Sequence, residues 1–278
     1  MRSTDRNVRT GWGIAIGASA LAVLSALACD PVQDDARRSG SEDASAEITR
    51  ADEAAAPAIE PARVAIAGGP FVAGCDPARG DDCLPDEIPS GVREVEAFAI
   101  DRTEVTVAAY RACVEAGACT PPDVAESCNW AQQGRERHPI NCVDWEQAKA
   151  YCAFRGARLP TEWEWEKAAR GSEGRRNPWG DAPADCRLAV IDEGGGNACG
   201  AGDTTFEVGS RPAGATPEGI LDLIGNVWEW TATVRENGRA PVVRGAAYYS
   251  EPGHARASHL LRFNPIGRGP FVGFRCAS

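Results

Sequence analysis

Residues 156–171 read GARLPTEWEWEKAARG. Two tryptophans and three glutamates interleave directly after Pro160, in a chain whose aromatic residues amount to only 7%. Thr161 and Glu164 have the spacing of a capping box, in which the hydroxyl holds the third helical amide and the carboxylate returns to the cap amide. The stretch therefore predicts a helix opening at Glu162, whose charge suits the positive end of the helix dipole. Trp165, Ala168 and Ala169 then share one face. A soluble helix with this content needs neighbours that accept both indoles and carboxylates.

Working outward, two more helices precede it. TVAAYRACVEAG, residues 106–117, has Thr106 as N-cap and Gly117 at its end. DWEQAKAYCAFRG, residues 144–156, pairs Asp144 with Gln147 as a second capping box and stops at Gly156. Ala148, Tyr151, Cys152 and Arg155 fall on one of its faces. From Ser172 to Gly219 glycine, proline, aspartate and asparagine dominate, and the short apolar runs PVVRGAAYY (241–249) and FVGFRCA (271–277) read as strands. The expectation is a loop-rich α+β domain.

The whole chain has 278 residues, 43% hydrophobic and 25% charged, with a formal net charge of −11. That composition is globular. Its acidity argues against a nucleic-acid surface, which needs clustered lysine and arginine. The N-terminus is set apart. Arg2, Arg6 and Arg9 precede an apolar run from Gly11 to Leu27 that ends in SALAC. This is a secretory signal pattern, and Cys29 at the junction resembles the acylated cysteine of a bacterial lipoprotein. Residues 1–28 are thus expected to be a signal peptide and residues 29–63 a lipidated, acidic tether too poor in large apolar side chains to order itself. A folded domain would occupy residues 64–278. The expected location is the cell envelope, with a membrane partner reached through the lipid on Cys29.

Cys29 accounts for the odd one of eleven cysteines. The other ten, in an exported chain, predict disulfides. Short spacings pair Cys75 with Cys83, Cys113 with Cys119, Cys128 with Cys142 and Cys186 with Cys199. Cys152 and Cys276 remain, and their bridge would close the longest loop. A zinc site is disfavoured because no CxxC pair is present and the histidines lie elsewhere.

Several phrases now stand in one order: FAIDRTEVTVAAY (98–110), HPINCVDWEQAKAYC (138–152), RLPTEWEWEKAARG (158–171), NPWGD (177–181), GILDLIGNVWEWT (219–231), VVRGAAYY (242–249) and VGFRC (272–276). Together they resemble the formylglycine-generating enzyme, or sulfatase-modifying factor, family over nearly all of the folded part. The resemblance implies a variant of the C-type-lectin fold in which the RLPTE helix packs on the GN-x-WEW segment. Trp163, Trp165, Trp228 and Trp230 would then be mostly core, and the carboxylates beside them would accept hydrogen bonds from loop backbones.

The resemblance also implies sites. Two carboxylates and turn carbonyls in DLIGNVWE are what a hard cation requires, and the matching family positions bind structural calcium; here they are Asp222, Gly225, Val227 and Glu229. A second family calcium site would lie in the loop holding Asp192, Asn197 and Asp203. The family oxidises a substrate cysteine to an aldehyde with oxygen and a copper(I) ion held by two cysteines, soft ligands for a soft ion. Those cysteine positions fall at Ser250 and Ala255, and the family serine falls at Ala247. None supplies a thiolate, so copper is not expected. The reading is a non-catalytic binding or scaffold module that holds a protein or an envelope polymer. The alternative is a formylglycine-generating oxidoreductase acting on a sulfatase cysteine. A more distant option centres a metal such as iron on His254 and His259.

Overall fold

A computed structural model describes residues 61–79, 83–87, 89–196, 198–202, 204–235 and 238–278. The expected signal peptide, Cys29 and the tether up to residue 60 lie outside the described residues. So do Asn197 and Asp203 of the second expected calcium loop. Arg63, expected as the end of the tether, already begins a strand.

The three predicted helices form where their caps place them. Helix α1 runs Val107–Glu115, with Thr106 accepting from the Ala109 amide. Helix α2 runs Trp145–Phe154 and α3 Glu162–Arg170, each with both halves of its capping box made. Gly171 ends α3 at φ 67°, a left-handed conformation that side chains with a Cβ adopt at a cost.

The strands are short and lie in three sheets. Strand β1 (Arg63–Ile66) pairs antiparallel with β4 (Phe98–Asp101), and β2 (Gly69–Ala73) with β3 (Gly91–Val95). The remaining sheet has the order β7-β6-β5-β8, built from β5 (Trp228–Arg235), β6 (Ala240–Arg244), β7 (Leu260–Arg262) and β8 (Val272–Gly273). Only the β5–β8 pair is parallel. The ladder between β5 and β6 shifts register between Trp230 and Val234. There the Ala232 amide leaves the sheet to donate to the Pro160 carbonyl, 2.8 Å, just ahead of α3. The expected strand PVVRGAAYY is shorter than its apolar run: it ends at Arg244 because Gly245 and Ala246 take φ of 100° and 68° and turn the chain. FVGFRCA contributes two strand residues only.

Five disulfides join Cys75–Cys83, Cys113–Cys119, Cys128–Cys142, Cys152–Cys276 and Cys186–Cys199, the expected pairs. The fourth fastens α2 to the C-terminal segment. That segment is also held by paired backbone bonds, Ala277 with Arg158 and Ser278 with Ala99. Tyr110 and Tyr151 stack 5.6 Å apart and Phe274 meets both edge-on. Such aromatic pairs add about 0.5–1.5 kcal/mol beyond their burial.

The interleaving in the opening stretch has a physical cause. Trp165 is fully buried, and its indole donates to Glu229 Oε2 at 2.7 Å. Trp228 and Trp230 are likewise core. Trp163 departs from the expectation: it is half-buried and faces guanidinium groups, with Arg93 5.0 Å and Arg244 5.7 Å from its ring. The glutamates answer mostly arginines rather than loop amides. Glu162 pairs with Arg235 (2.8 Å) and Arg244 (3.2 Å), Glu164 with Arg158 (2.6 Å), and Glu166 with Arg170 (2.8 Å) and Arg244 (2.9 Å). One loop amide does join, from Gly74 to Glu166 Oε1 at 2.6 Å. A buried carboxylate needs a counter-charge and hydrogen bonds together, and a forked guanidinium supplies both.

Candidate functional site

The loop after β6 carries the positions at which the family resemblance placed copper-binding cysteines. Ser250 and Ala255 are both buried, with 7% and 1% of their surface exposed. The Ser250 hydroxyl accepts from the Ala247 amide at 3.1 Å, and its own amide donates to the Ala247 carbonyl at 2.8 Å. Ser250 therefore closes a tight turn on Ala247. Ala255 offers no donor atom for a metal. All ten cysteines among the described residues are in disulfides, so no thiolate is left there to substitute. A copper(I) ion does not fit this donor set.

His254 and His259 approach within 5.5 Å of each other, ring to ring. His259 is buried against the edge of Trp228, and its Nδ1 lies 2.7 Å from the His254 carbonyl. Burial holds His259 below its ordinary pKa, against the pull of that carbonyl and of Glu87. A neutral imidazole that donates through Nδ1 leaves Nε2 unprotonated, the form a metal would require. Yet no group of three or more His, Cys, Asp or Glu side chains among the described residues converges as a metal-ligand set. Asp192, from the second expected calcium loop, turns back on its own chain: its Oδ1 accepts from the amides of Gly194, Gly195 and Gly196 at 2.9–3.1 Å.

The first expected calcium set, Asp222, Gly225, Val227 and Glu229, is split by the structure. Glu229 is completely buried, and Arg275 grips both of its oxygens at 2.7 Å while Trp165 takes a further bond to Oε2. Its charge is balanced by the guanidinium, so Glu229 does not fit as a cation ligand. Asp222 is different. It sits at φ 57°, buried, bonded to the Gly209 amide, and meets a carboxylate that the sequence reading had passed over, Glu104. Glu104 Oε1 accepts from Asn226 at 3.0 Å, but its Oε2 is a buried oxygen with no donor among the described residues.

Three buried carboxylates thus surround Arg275. Burial first, then Asp222, pushes the Glu104 carboxyl well above the usual range, and burial raises Asp222 as well. Burial alone would lower Arg275, but Glu229, Glu104 and Asp222 more than reverse this. One guanidinium cannot neutralise three acids. Either a proton shared between Glu104 and Asp222 or a bound cation completes the balance. The orphaned Oε2 of Glu104 is the atom such a group would satisfy. In the sequence Glu104 is one of three charges in DRTEV, and Arg275 is the one charge in GFRC. Only the fold brings them within reach of Asp222.

Known proteins agree with this architecture. A family model described as the sulfatase-modifying factor enzyme 1-like domain matches residues 49–278. The hercynine oxygenase of Mycolicibacterium smegmatis is 31% identical over 272 residues, covering 80% of this chain and 62% of that protein, so the chain spans less than two thirds of that relative. The inactive C-alpha-formylglycine-generating enzyme 2 of Mus musculus is 33% identical over 272 residues, covering 80% of this chain and 87% of that protein. The solved structure of PvdO from Pseudomonas aeruginosa superposes with a TM-score of 0.65 at 25% identity, covering 78% of this chain and 94% of that one. The chain belongs to the sulfatase-modifying factor enzyme 1-like (formylglycine-generating enzyme) family, and its α+β fold is the family's C-type-lectin-like variant.

Proposed function

We propose that this domain is a non-catalytic member of its family, an extracytoplasmic binding or scaffold module tethered to a membrane by a lipid on Cys29. The carrying observation is the pair Ser250 and Ala255. A serine hydroxyl ionises far above neutral pH, and alanine has nothing to ionise, so neither provides the soft anionic ligand that copper(I) needs. The likeness to a mouse relative named as inactive supports this reading. The five disulfides support an oxidising compartment, where such bridges persist. Loss of a copper ligand pair leaves the fold intact because the helix caps and disulfides lie elsewhere and Ala255 packs in the core as a small apolar side chain. The partner, on this reading, is a protein or a cell-envelope polymer.

A calcium ion belongs to the same proposal as a structural group. Asp222 and Glu104, with carbonyls of the Gly225–Val227 turn, would hold it, and Glu229 would stay with Arg275. Its chemistry would be charge neutralisation of a buried acid pair.

The test is direct. The purified chain is supplied with copper(I), oxygen and a Cys-x-Pro-x-Arg peptide, and aldehyde product is measured by mass spectrometry. No product above background is expected. Product from the wild-type chain would overturn the reading in favour of the oxidoreductase. Ser250→Cys with Ala255→Cys should introduce copper binding, which checks that these two positions are the family's ligand positions.

A further inference from the structure

A polar pocket of about 160 Å³ opens between β3, α3 and β6, away from the Ser250–Ala255 loop. Asp86, Glu87 and Glu166 line it with Arg93, Arg235 and Arg244, but the acids also pair with arginines outside the lining. Asp86 and buried Glu87 are matched by Arg262 and Arg256. On the α3 side, Glu162 and Glu166 meet Arg170, Arg235 and Arg244. Arg93 then adds a further guanidinium. It is exposed, lies over Trp163 and forms no ion pair among the described residues. Arg244 lines the same pocket at 1% exposure, and its Nε is a buried donor with no partner among the described residues. In an acidic chain, an excess of guanidinium gathers at one concave place.

We infer that this pocket binds an oxyanion group, a carboxylate, sulfate or phosphate, carried by the ligand of the domain. The chemistry is specific. Arg93 and the outer edge of Arg235 present forked donors at the mouth, and a planar or tetrahedral oxyanion accepts such forks in pairs. Deeper in, the Arg244 guanidinium adds its positive charge to the pocket wall. Trp163 also lines the pocket, and its ring holds the Arg93 guanidinium in place at 5.0 Å. The inference goes beyond the proposed binding role and does not depend on the absence of catalysis.

The experiment titrates the purified chain with sodium sulfate, sodium phosphate and sodium glucuronate at constant ionic strength held with sodium chloride, followed by calorimetry and tryptophan fluorescence. Saturable binding of at least one oxyanion is expected, and the three arms tell which. Losing a charge-assisted hydrogen bond weakens binding by about tenfold or more, so Arg93→Gln should show at least that loss with an unchanged melting temperature, and Arg93→Lys should recover part of it. Three results would overturn the proposal: no saturable response to any of the anions, a response that follows ionic strength alone, or equal affinity in Arg93→Gln and wild type.

Discussion

Replacing Cys152 and Cys276 together by alanine removes the bridge that closes the longest loop, a separation of 124 residues. Replacing Cys113 and Cys119 removes one that spans a separation of 6. Both pairs are packed in the core, with exposures between 0% and 7%, so the two variants lose similar sulfur contacts. The difference between them therefore reports loop closure in the unfolded chain. In the chain-entropy relation the 124-residue loop contributes about 5 kcal/mol and the 6-residue loop about 2 kcal/mol. Equilibrium urea unfolding without reductant measures both. With a slope of about 3 kcal/mol/M, the difference separates the two midpoints by about 1 M. The slope of the Cys152/Cys276 variant should also rise, because its denatured state exposes more surface. Equal losses, or a larger loss for the short loop, would refute the entropic reasoning.

Other outcomes follow from the buried charges. Glu104 and Asp222 have folded pKa values raised above their ordinary 4.5 and 3.8, so the folded state holds protons that the unfolded state releases. In chelator, the stability they contribute is full below that ordinary range and is lost as pH rises from it through the raised folded values; Glu104→Gln should flatten the fall in thermal melts, and a fall of equal slope in the variant would argue against the pair. Added calcium should raise the melting temperature at neutral pH, by about 2.7 kcal/mol of stability at a hundredfold excess over Kd, and an unchanged melt with no metal by elemental analysis would remove the ion from the proposal. Glu229→Gln removes the carboxylate that Arg275 grips through both oxygens, leaving the guanidinium with Glu104 and Asp222, and should cost about 2–3 kcal/mol in urea unfolding, whereas Trp165→Phe, which removes one donor to Glu229, should cost less than that. His138, whose pKa burial lowers to about 4, must lose its proton to fold. Its contribution should therefore grow as pH rises from about 4 to the ordinary 6.5, and His138→Gln should remove that slope from the stability profile.

What the sequence determined by itself was whatever depends on neighbours along the chain. Thr106, Asp144 and Thr161 mark the three helices because a cap is a contact between residues three apart. Four disulfides were legible because their loops are short, and the last because only one pair remained. The absent thiolates at Ser250 and Ala255 needed only the order of the surrounding phrases. What the tertiary structure alone decided was where each charge goes. Glu229 looks in sequence like a cation ligand, but Arg275, 46 residues away, occupies both of its oxygens. Glu104 looks like one more acid in a strand end, but it stands against Asp222, with Asn226, 122 residues away, on its other oxygen. The glutamates of α3 are expected from the sequence to accept from loop backbones, but Arg244 arrives from β6 and pairs with two of them. The physical reason is common to all three. An acid removed from water must meet a counter-charge, a hydrogen-bond donor or a proton, and that partner is chosen by the packing of distant elements, which local spacing does not encode.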